Sequence, residues 1–249
     1  MLKATNNFIL NLKKQKRENK SLLFLDNVKI IKDALEGGSI KPECVLTSLD
    51  KLPFECESCQ VYKVDEKIIE QLADTKTPQK VLCIAYLTQN VVELPKTNFL
   101  VLDGLQDPGN VGTLIRSAFA CGFETIFLVN SVRRENSKLI RSSVGAVFNS
   151  KVYQMSREEF VTYAKKNSFK LIMCDMNGEN IFDFAENNSS DKQHLGVVVG
   201  NEGQGVSDEI AALCYKTVMI PMKKGIESLN AGVSGSIIMY EINKNTLKN

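Results

Sequence analysis

Apolar and polar positions divide this chain into two blocks that predict different architectures. Between Ser21 and Gln89, short apolar runs alternate with stretches of helical periodicity and predict a small α/β domain. Gly37 and Gly38 are expected to end its first helix. The predicted elements are a strand at 22–25, a helix at 28–35, strands at 45–46 and 61–62, a helix at 67–73 and a strand at 81–87.

The second block predicts an α/β fold with a parallel sheet and helices on its faces, because apolar runs of strand length alternate with helical stretches. A looser stretch at 90–98, which contains Pro95, separates the blocks, so we expect domains at 1–96 and 97–249. The five apolar runs are 99–102, 126–129, 171–174, 195–199 and 218–220. In open α/β sheets, ligands bind beyond the carboxyl ends of the strands. The loops that follow these runs are therefore the expected site.

Composition narrows the class of protein. Hydrophobic residues make up 43% of the 249 positions and charged residues 24%, as in folded globular chains. No apolar run approaches the roughly 18 residues that span a bilayer, and the first 20 residues lack the apolar centre of a secretory signal. These features predict a cytoplasmic protein with no membrane partner.

The seven cysteines are an odd number, which favours reduced thiols in a cytosolic protein. Cys56 and Cys59 have the spacing of metal ligands, but no second pair matches them and the only histidine, His194, lies far away. We therefore predict no metal site. His194 lies in a polar stretch and is expected to be a solvated loop residue, which disfavours mechanisms that need an imidazole base.

The net charge of +2 conceals an uneven distribution. Residues 1–20 contain six Lys or Arg and one Glu, a net charge of +5, so the remainder carries −3. A basic N-terminal arm can contact phosphates by counterion release. A solvated helix end explains the same charges equally well.

The loop after the run at 99–102 leads into a predicted helix. Pro108 and Gly109 form a turn, Asn110 can cap the helix, and Gly122 ends it. Arg116 falls off the apolar face, where its guanidinium can hold a phosphate through two hydrogen bonds. Most arginines on a polar helix face are simply surface residues. The predicted buried face consists of Val111, Leu114, Ile115, Ala118 and Phe119.

The loop after the run at 195–199 is rich in glycine. Gly200, Gly203 and Gly205 let the backbone turn sharply and approach a ligand, and Glu202 places a carboxylate among them. The spacing G-x-x-G-x-G differs from the dinucleotide fingerprint G-x-G-x-x-G, and no P-loop lysine follows. A plain strand-to-helix loop capped by Ser207 is the alternative.

The last loop precedes the final helix, which Ser228 or Asn230 can cap. Gly232 and Gly235 lie in the first turns of this helix, at a cost of about 2 kcal/mol relative to alanine. Such a bare surface lets another backbone or a ligand come very close. A poorly formed helix is the alternative.

Together, the three loops resemble the SpoU-type, TrmH-like RNA 2′-O-ribose methyltransferases of the SPOUT class. The likeness covers residues 99–241, and a weaker one extends upstream to the family's N-terminal substrate-binding domain, related to small ribosomal RNA-binding proteins. There, Asp26 and Asn27 replace the usual Glu-Gly. The matching positions are Asp107, Pro108, Asn110, Gly112, Arg116 and Ala118 in the first motif, Gly200, Asn201, Glu202 and Gly205 in the second, and Ile220, Pro221, Met222, Ser228, Leu229, Asn230 and Glu241 in the third.

The resemblance implies a C-terminal trefoil knot, a homodimer, S-adenosylmethionine (AdoMet) as methyl donor and a ribose 2′-OH as acceptor. The bare final helix would pack in the dimer. The implied cofactor-binding residues are Gly200, Ile220 and Leu229. The implied catalytic residues are Arg116, Asn110, Glu202, Ser228 and Asn230.

Two roles can be considered for Arg116: a general base, or a cation that binds phosphate. The family assigns this arginine as general base, but guanidinium is essentially always protonated in proteins. We therefore expect Arg116 to hold the adjacent phosphate and to stabilise the developing alkoxide. The other four residues would hold the loops and the ribose in place.

We therefore expect an AdoMet-dependent enzyme that methylates the ribose 2′-OH of ribosomal or transfer RNA. Relatives carry a hydroxyl at the position of Gly232, so its absence leaves open a non-catalytic RNA-binding or ribosome-assembly factor of the same fold. The glycine spacing disfavours a nicotinamide-dependent oxidoreductase.

Overall fold

The computed structural model describes residues 1–56, 59–88, 91–187, 193–225 and 228–247. The chain forms two compact units, 1–89 and 90–249. The division lies before the expected boundary at 96, because Val92 packs on the core of the second unit and Glu93 forms an ion pair with Lys151 at 2.6 Å. No helix in the described ranges is long and apolar enough to cross a membrane.

The first unit is a five-stranded mixed sheet with helices packed on it. Strand β5 is antiparallel to β2 and β3, whereas β1, β3 and β4 are parallel. All six elements predicted from the sequence are confirmed. The elements are β1 (Leu2–Lys3), α1 (Asn6–Glu18), β2 (Leu22–Leu25), α2 (Val28–Glu36), β3 (Ile40–Thr47), β4 (Gln60–Lys63), α3 (Glu66–Leu72) and β5 (Val81–Leu87), and the sheet order is β1-β4-β3-β5-β2.

Residues 1–20 are not a free arm, because they form β1 and α1. Ile9 and Leu12 of α1 are buried in the core of the first unit. Lys16 is structural: it forms an ion pair with Asp74 at 2.7 Å and lies over the ring of Phe24. The remaining charge of this segment is carried largely by exposed side chains, which are Lys3, Lys14, Arg17 and Lys20.

The second unit contains a six-stranded sheet in which every described strand pair is parallel. The five predicted strands are confirmed, and β8 is an additional one. The elements are β6 (Phe99–Asp103), α4 (Pro108–Ala120), β7 (Thr125–Val129), α5 (Ser137–Ser142), α6 (Ala146–Asn149), β8 (Lys151–Met155), α7 (Arg157–Lys166), β9 (Lys170–Asn180), α8 (Ile181–Asn187), β10 (Leu195–Gly200), α9 (Asp208–Ala211), β11 (Cys214–Met219) and α10 (Ala231–Asn243). The sheet order is β11-β9-β10-β6-β7-β8.

The order of the strands decides where the loops meet. Strands β6 and β10 are neighbours, and Asp103 pairs with Gly200 at their carboxyl ends. Val198 packs with residues of α7 and α9, whereas Val199 approaches α10 near Gly235, so these helices lie on opposite faces of the sheet. The loops after β6 and β10 therefore leave the sheet side by side.

The cysteines fall into two groups. Cys56 and Cys59 form a disulfide, so the expected reduced state holds for the other five, which are free. Burial raises the pKa of Cys44 to about 11, with a further contribution from the charge of Glu43, and raises the pKa of Cys83 to about 12. Among the described residues, no three His, Cys, Asp or Glu side chains gather as metal ligands.

The buried thiols predict a loss of stability at alkaline pH. Below the ordinary thiol pKa of 9.0, both states are protonated; above it, the unfolded chain releases protons that the native state retains. The free energy of unfolding should therefore fall as the pH rises from about 9 towards 12, by at most roughly 1.4 kcal/mol per pH unit for each thiol. Urea unfolding of the native chain and Cys83→Ala at pH 8 and 10.5 measures this. The variant should lose less stability between the two pH values, and an equal loss would contradict the assignment.

Candidate functional site

The buried carboxylate of Asp103 fixes the far end of the glycine-rich loop. Asp103 is 1% exposed and lies at the end of β6. Its Oδ2 accepts hydrogen bonds from the backbone N–H and the hydroxyl of Ser207, at 2.7 and 2.6 Å. Its Oδ1 accepts from Nε and Nη2 of Arg157 at 3.3 and 3.1 Å. The charge is therefore paired, as a buried carboxylate requires.

The near end of the same loop is attached to Gly104, the residue after Asp103. Nδ2 of Asn201 donates to the carbonyl oxygen of Gly104 at 2.9 Å. Asp103, the last residue of β6, and Gly104, which follows it, thus hold the two ends of the loop 201–207. Ser207 occupies the N-cap position of α9, as in the alternative of a plain strand-to-helix loop, but its hydroxyl binds Asp103 and does not cap the helix.

The loop closes tightly on itself. Asn201 and Gly205 exchange two backbone hydrogen bonds of 2.9 Å, and Gly205 has a φ of +72°. A Cβ at Gly200 would lie 2.2 Å from the carbonyl carbon of Gly205. The loop itself therefore requires a glycine at 200, whether or not a ligand approaches it.

Helix α4 begins earlier than expected, so the prediction that Asn110 caps it is wrong. Asp107 is the N-cap and accepts from the backbone N–H groups of Gly109 and Asn110, each at 3.2 Å, while Pro108 occupies the first helical position. The hydrogen bond and ion pair with Lys138, at 3.1 Å, and these backbone N–H groups lower the pKa of Asp107.

The side chain of Asn110 does not cap the helix and instead connects the three loops. Its Nδ2 donates to Oε1 of Glu202 at 2.6 Å, and its Oδ1 accepts from Nδ2 of Asn230 at 3.0 Å. Oδ1 of Asn230 accepts in turn from the backbone N–H groups of Gly232 and Val233, at 2.9 and 3.3 Å. A carboxylate only accepts, so Glu202 fixes the donor direction along the whole chain of amides.

Asn230, and not Ser228, is the N-cap of α10, which is a regular helix of 13 residues. The alternative of a poorly formed helix is therefore wrong. A Cβ at Gly235 would lie 2.5 Å from Cδ2 of Leu114 in α4, and Ser236 donates to the hydroxyl of Ser117 at 2.7 Å. The bare surface of α10 is thus used by α4 of the same chain.

Gly232 lies beside the amide connection. A Cβ there would be 3.1 Å from Oδ1 of Asn230 and 3.5 Å from Oδ1 of Asn110. A hydroxyl at this position would stand next to these two amides. In this chain the two amides bind each other directly, so the connection between the first and third loops exists without that hydroxyl.

A cleft of about 360 Å³ opens among these loops. It is lined by Gly200, Ile220 and Leu229, the three expected cofactor residues, and by Glu202, Ser228 and Asn230. Asn110 is bonded to two of these residues. The described lining carries two carboxylates, on Asp175 and Glu202, and no lysine or arginine.

Sequence reasoning missed one side of the cleft. Strand β11 pairs Thr217 with Met173 but Val218 with Glu179, so residues 174–178 leave the ladder. Cys174, Asp175 and Met176 of this irregular stretch line the cleft. In the sequence, only the glycine at 178 indicates this irregular stretch. A Cβ at that position would lie 2.6 Å from the backbone of Val218.

A family model described as SpoU rRNA Methylase family matches residues 97–240. The chain belongs to this SpoU family. The 23S rRNA (guanosine(2553)-2'-O)-methyltransferase of Bacillus subtilis (strain 168) is 27% identical over 239 residues, which cover 94% of this chain and 92% of that protein. The 23S rRNA (adenosine(1067)-2'-O)-methyltransferase of Streptomyces azureus is 26% identical over 255 residues, which cover 97% and 93%.

Solved structures share the fold over the whole chain. The AdoMet-bound rRNA methyltransferase of Sinorhizobium meliloti superimposes with a TM-score of 0.83 at 21% identity, over 98% of this chain and 97% of that one. The α/β fold with its parallel sheet is therefore that of the SPOUT methyltransferases.

Two side chains of this SpoU-family chain lie away from the cleft. Arg116 is exposed on α4 and does not line the cleft, and its guanidinium forms no hydrogen bond or ion pair with any described residue. Phe119 was expected in the buried face but is 48% exposed, whereas the other four residues of that face are buried. His194 is exposed before β10, as expected.

The closure of the glycine-rich loop predicts a contrast between two of its glycines. Gly200→Ala should destabilise the second unit by about 1–3 kcal/mol, because its Cβ meets backbone atoms at 2.2 Å. Gly203→Ala is the matched control: its Cβ would make an ordinary contact of 3.6 Å with Oδ1 of Asn201, so its effect should stay within about 0.5 kcal/mol. Urea unfolding measures both variants, and equal effects would contradict the assigned loop geometry.

Proposed function

We propose that this chain transfers the methyl group of AdoMet to a ribose 2′-OH of ribosomal or transfer RNA. The observation that carries the proposal is the pair of hydrogen bonds made by Asn110, which connects Glu202 and Asn230 at the cleft. It unites the three motifs of the SpoU family in one site. The 2′-O-methyltransferases named above support the same reaction.

The cleft fits AdoMet in size and charge. Its volume of about 360 Å³ lies within the roughly 300–1,000 Å³ of small-molecule sites. AdoMet carries a sulfonium, an ammonium and one carboxylate, so its net positive charge is favoured by the two carboxylates of the described lining, which holds no lysine or arginine. The phosphates of a nicotinamide dinucleotide would meet the same carboxylates unfavourably, which disfavours an oxidoreductase. We assign cofactor contacts to the backbone at Gly200, Ile220 and Leu229.

AdoMet, when bound, supplies an electrophilic methyl group. The chain's own task is then to hold the ribose and to accommodate charge on the 2′ oxygen. Ser228 and Asn230 line the cleft and can orient the ribose, while Asn110 and Glu202 keep their loops in register. Arg116 binds the adjacent phosphate and stabilises the developing alkoxide. Because a guanidinium does not accept a proton, the 2′-OH proton would pass to solvent water as the new oxygen–carbon bond forms and the carbon–sulfur bond of the donor breaks.

All five polar residues that the family resemblance implies are present, which favours catalysis over a non-catalytic RNA-binding role. They are Asn110, Arg116, Glu202, Ser228 and Asn230. The missing hydroxyl at Gly232 was the reason for that alternative. Since Asn110 and Asn230 bind each other directly, the loop connection does not depend on it.

The first unit is proposed to capture the RNA through phosphates. Lys14, Arg17 and Lys20 are exposed on α1 and directly after it. Truncation of residues 1–20 would remove a strand and a buried helix face, so a point variant is the better probe. Arg17→Ala should weaken RNA binding and lower its salt dependence. An unchanged affinity in an RNA titration would remove α1 from RNA capture.

We also propose a homodimer, formed by an exposed apolar surface on α4 and α10. The glycines of α10 pack inside the chain, so they cannot form the dimer contact. Val233, Ile237 and Tyr240 share one face of α10 and are 46%, 36% and 60% exposed, and Phe119 of α4 is 48% exposed. Such a contiguous apolar patch is typical of an interaction site. The C-terminal trefoil knot and the cytoplasmic location are further proposals, which rest on family membership.

The dimer surface predicts the effect of a charge in its centre. Ile237→Glu should give a monomer by light scattering at micromolar concentration, because the carboxylate would be buried against the partner. Lys165→Glu on α7, on the opposite face of the sheet, is the control and should remain dimeric. A stable, fully active wild-type monomer would overturn the proposal.

The proposed role of Arg116 predicts a separation of binding from turnover. Arg116→Ala should leave the urea midpoint and calorimetric AdoMet affinity nearly unchanged, because the side chain is exposed and outside the cleft, but should lower methyl transfer by about 10²–10³-fold. The substrate is total RNA from a strain that lacks the protein. Arg116→Lys keeps the charge and loses the planar fork, so a near-complete loss in this variant favours two-point phosphate binding. Wild-type turnover in Arg116→Ala would refute the mechanism.

A further inference from the structure

A basic surface lies beside the cleft, on α5 and the turn that follows it. Residues 131–150 contain four basic residues and one acidic residue, a net charge of +3 in a chain whose total is +2. Lys138 and Arg141 are three residues apart on α5 and share one face of it. The side chain of Lys138 is 61% exposed, and the guanidinium of Arg141 has no hydrogen bond or ion pair with any described residue.

This surface is joined directly to the helix that carries the site. Lys138 binds Asp107, the N-cap of α4, at 3.1 Å. Ser142, next to Arg141, donates to the carbonyl oxygen of Pro108 at 2.9 Å and packs on Gly112, where a Cβ would lie 1.9 Å from its hydroxyl. Arg116 follows Gly112 by one helical turn. The two arginines therefore lie on helices in direct contact.

The turn after α5 contains a strained and exposed valine. Val144 has a φ of +52°, a region that glycine tolerates and a β-branched residue strongly disfavours. Its backbone N–H donates to the carbonyl oxygen of Arg141 at 3.0 Å, and Gly145 follows with a φ of +82°. Since 43% of the valine is exposed, its side chain is available for an external apolar contact.

We propose that Lys138, Arg141 and Val144 form an RNA-contact surface that holds the nucleotides flanking the methylated ribose. The proposal rests on the function proposed above and locates its substrate. The two cations would contact phosphates, and Val144 would pack on a sugar or base. Charge favours RNA over a protein partner, because the surface carries two cations, the exposed Lys138 and the half-buried Arg141, beside a single exposed apolar side chain, Val144. No carboxylate other than Asp107 and Glu135 belongs to the segments that form this surface.

The test compares two variants with matched controls in an RNA titration. Arg141→Ala is paired with Lys165→Ala, an exposed lysine of α7 on the opposite face of the sheet. Val144→Gly is paired with Val91→Gly, a valine that is 85% exposed. The probe is a labelled RNA hairpin, titrated by fluorescence anisotropy between roughly 50 and 200 mM salt. Urea unfolding and calorimetric AdoMet binding are measured on every variant.

Arg141→Ala should weaken RNA binding about three- to tenfold and reduce the slope of log affinity against log salt by about 0.7–0.9, the contribution of one phosphate contact. Val144→Gly should weaken RNA binding about two- to fivefold without changing the slope, while its urea midpoint stays equal or rises because the strain is relieved. Both controls should bind RNA as the native chain does.

The proposal is overturned if Arg141→Ala matches Lys165→Ala in affinity and slope. It is also overturned if Val144→Gly changes the oligomeric state and leaves RNA affinity unaltered, since the turn would then be a protein contact. A native chain that binds RNA in this way but does not bind AdoMet would refute the proposed function alone.

Discussion

The carboxylate of Asp103 is the group on which the geometry of the site depends. It is almost completely buried at the end of β6, and desolvation of a charge at that place would be costly without partners. Arg157 supplies the opposite charge from α7, and Ser207 supplies two donors from the far end of the glycine-rich loop. Removing any partner would leave a buried acceptor unsatisfied, so the loop is held by electrostatics and not only by its own turn.

Neighbouring strands make this arrangement possible. Because β6 and β10 are paired and parallel, their loops leave the sheet together, and one residue of β6 can reach across the base of the other loop. The third loop joins them through Asn110, whose position six residues before Arg116 on α4 is set by the cap at Asp107. Rigid strands thus fix the base of the site, while side-chain amides fix its opening.

Several elements could be predicted from sequence because their signals are local. Strands β6, β7 and β10 are buried on both faces, so they appear as continuous apolar runs. Strand β8 was missed because Lys151 and Gln154 interrupt its pattern, and α1 because Ile9 and Leu12 are its only buried side chains.

Other features depend on contacts distant in sequence. The partners of Asp103 lie 54 and 104 residues away, and Phe119 has the spacing of a core residue although it is 48% exposed. Three glycines correctly indicated that other atoms come close to the backbone. The sequence alone did not show that these atoms belong to the same chain. Gly200, Gly232 and Gly235 lie against the loop backbone, Asn230 and Leu114, respectively, so part of what suggests a ligand in the sequence is internal packing.

The separation of charge around the cleft has a mechanistic consequence. The described lining holds carboxylates, while the free guanidinium groups of Arg116 and Arg141 lie outside it on α4 and α5. In the proposed function, a cationic donor and a polyanionic acceptor would thereby be directed to different surfaces, neither of which favours the other's ligand. The two reactants would then meet between these surfaces, which Asn110 joins because it lies on α4 and binds Glu202 and Asn230 of the cleft. Methyl transfer requires the attacking oxygen and the methyl group in one line, so this division of charge favours the productive orientation before any catalytic group acts.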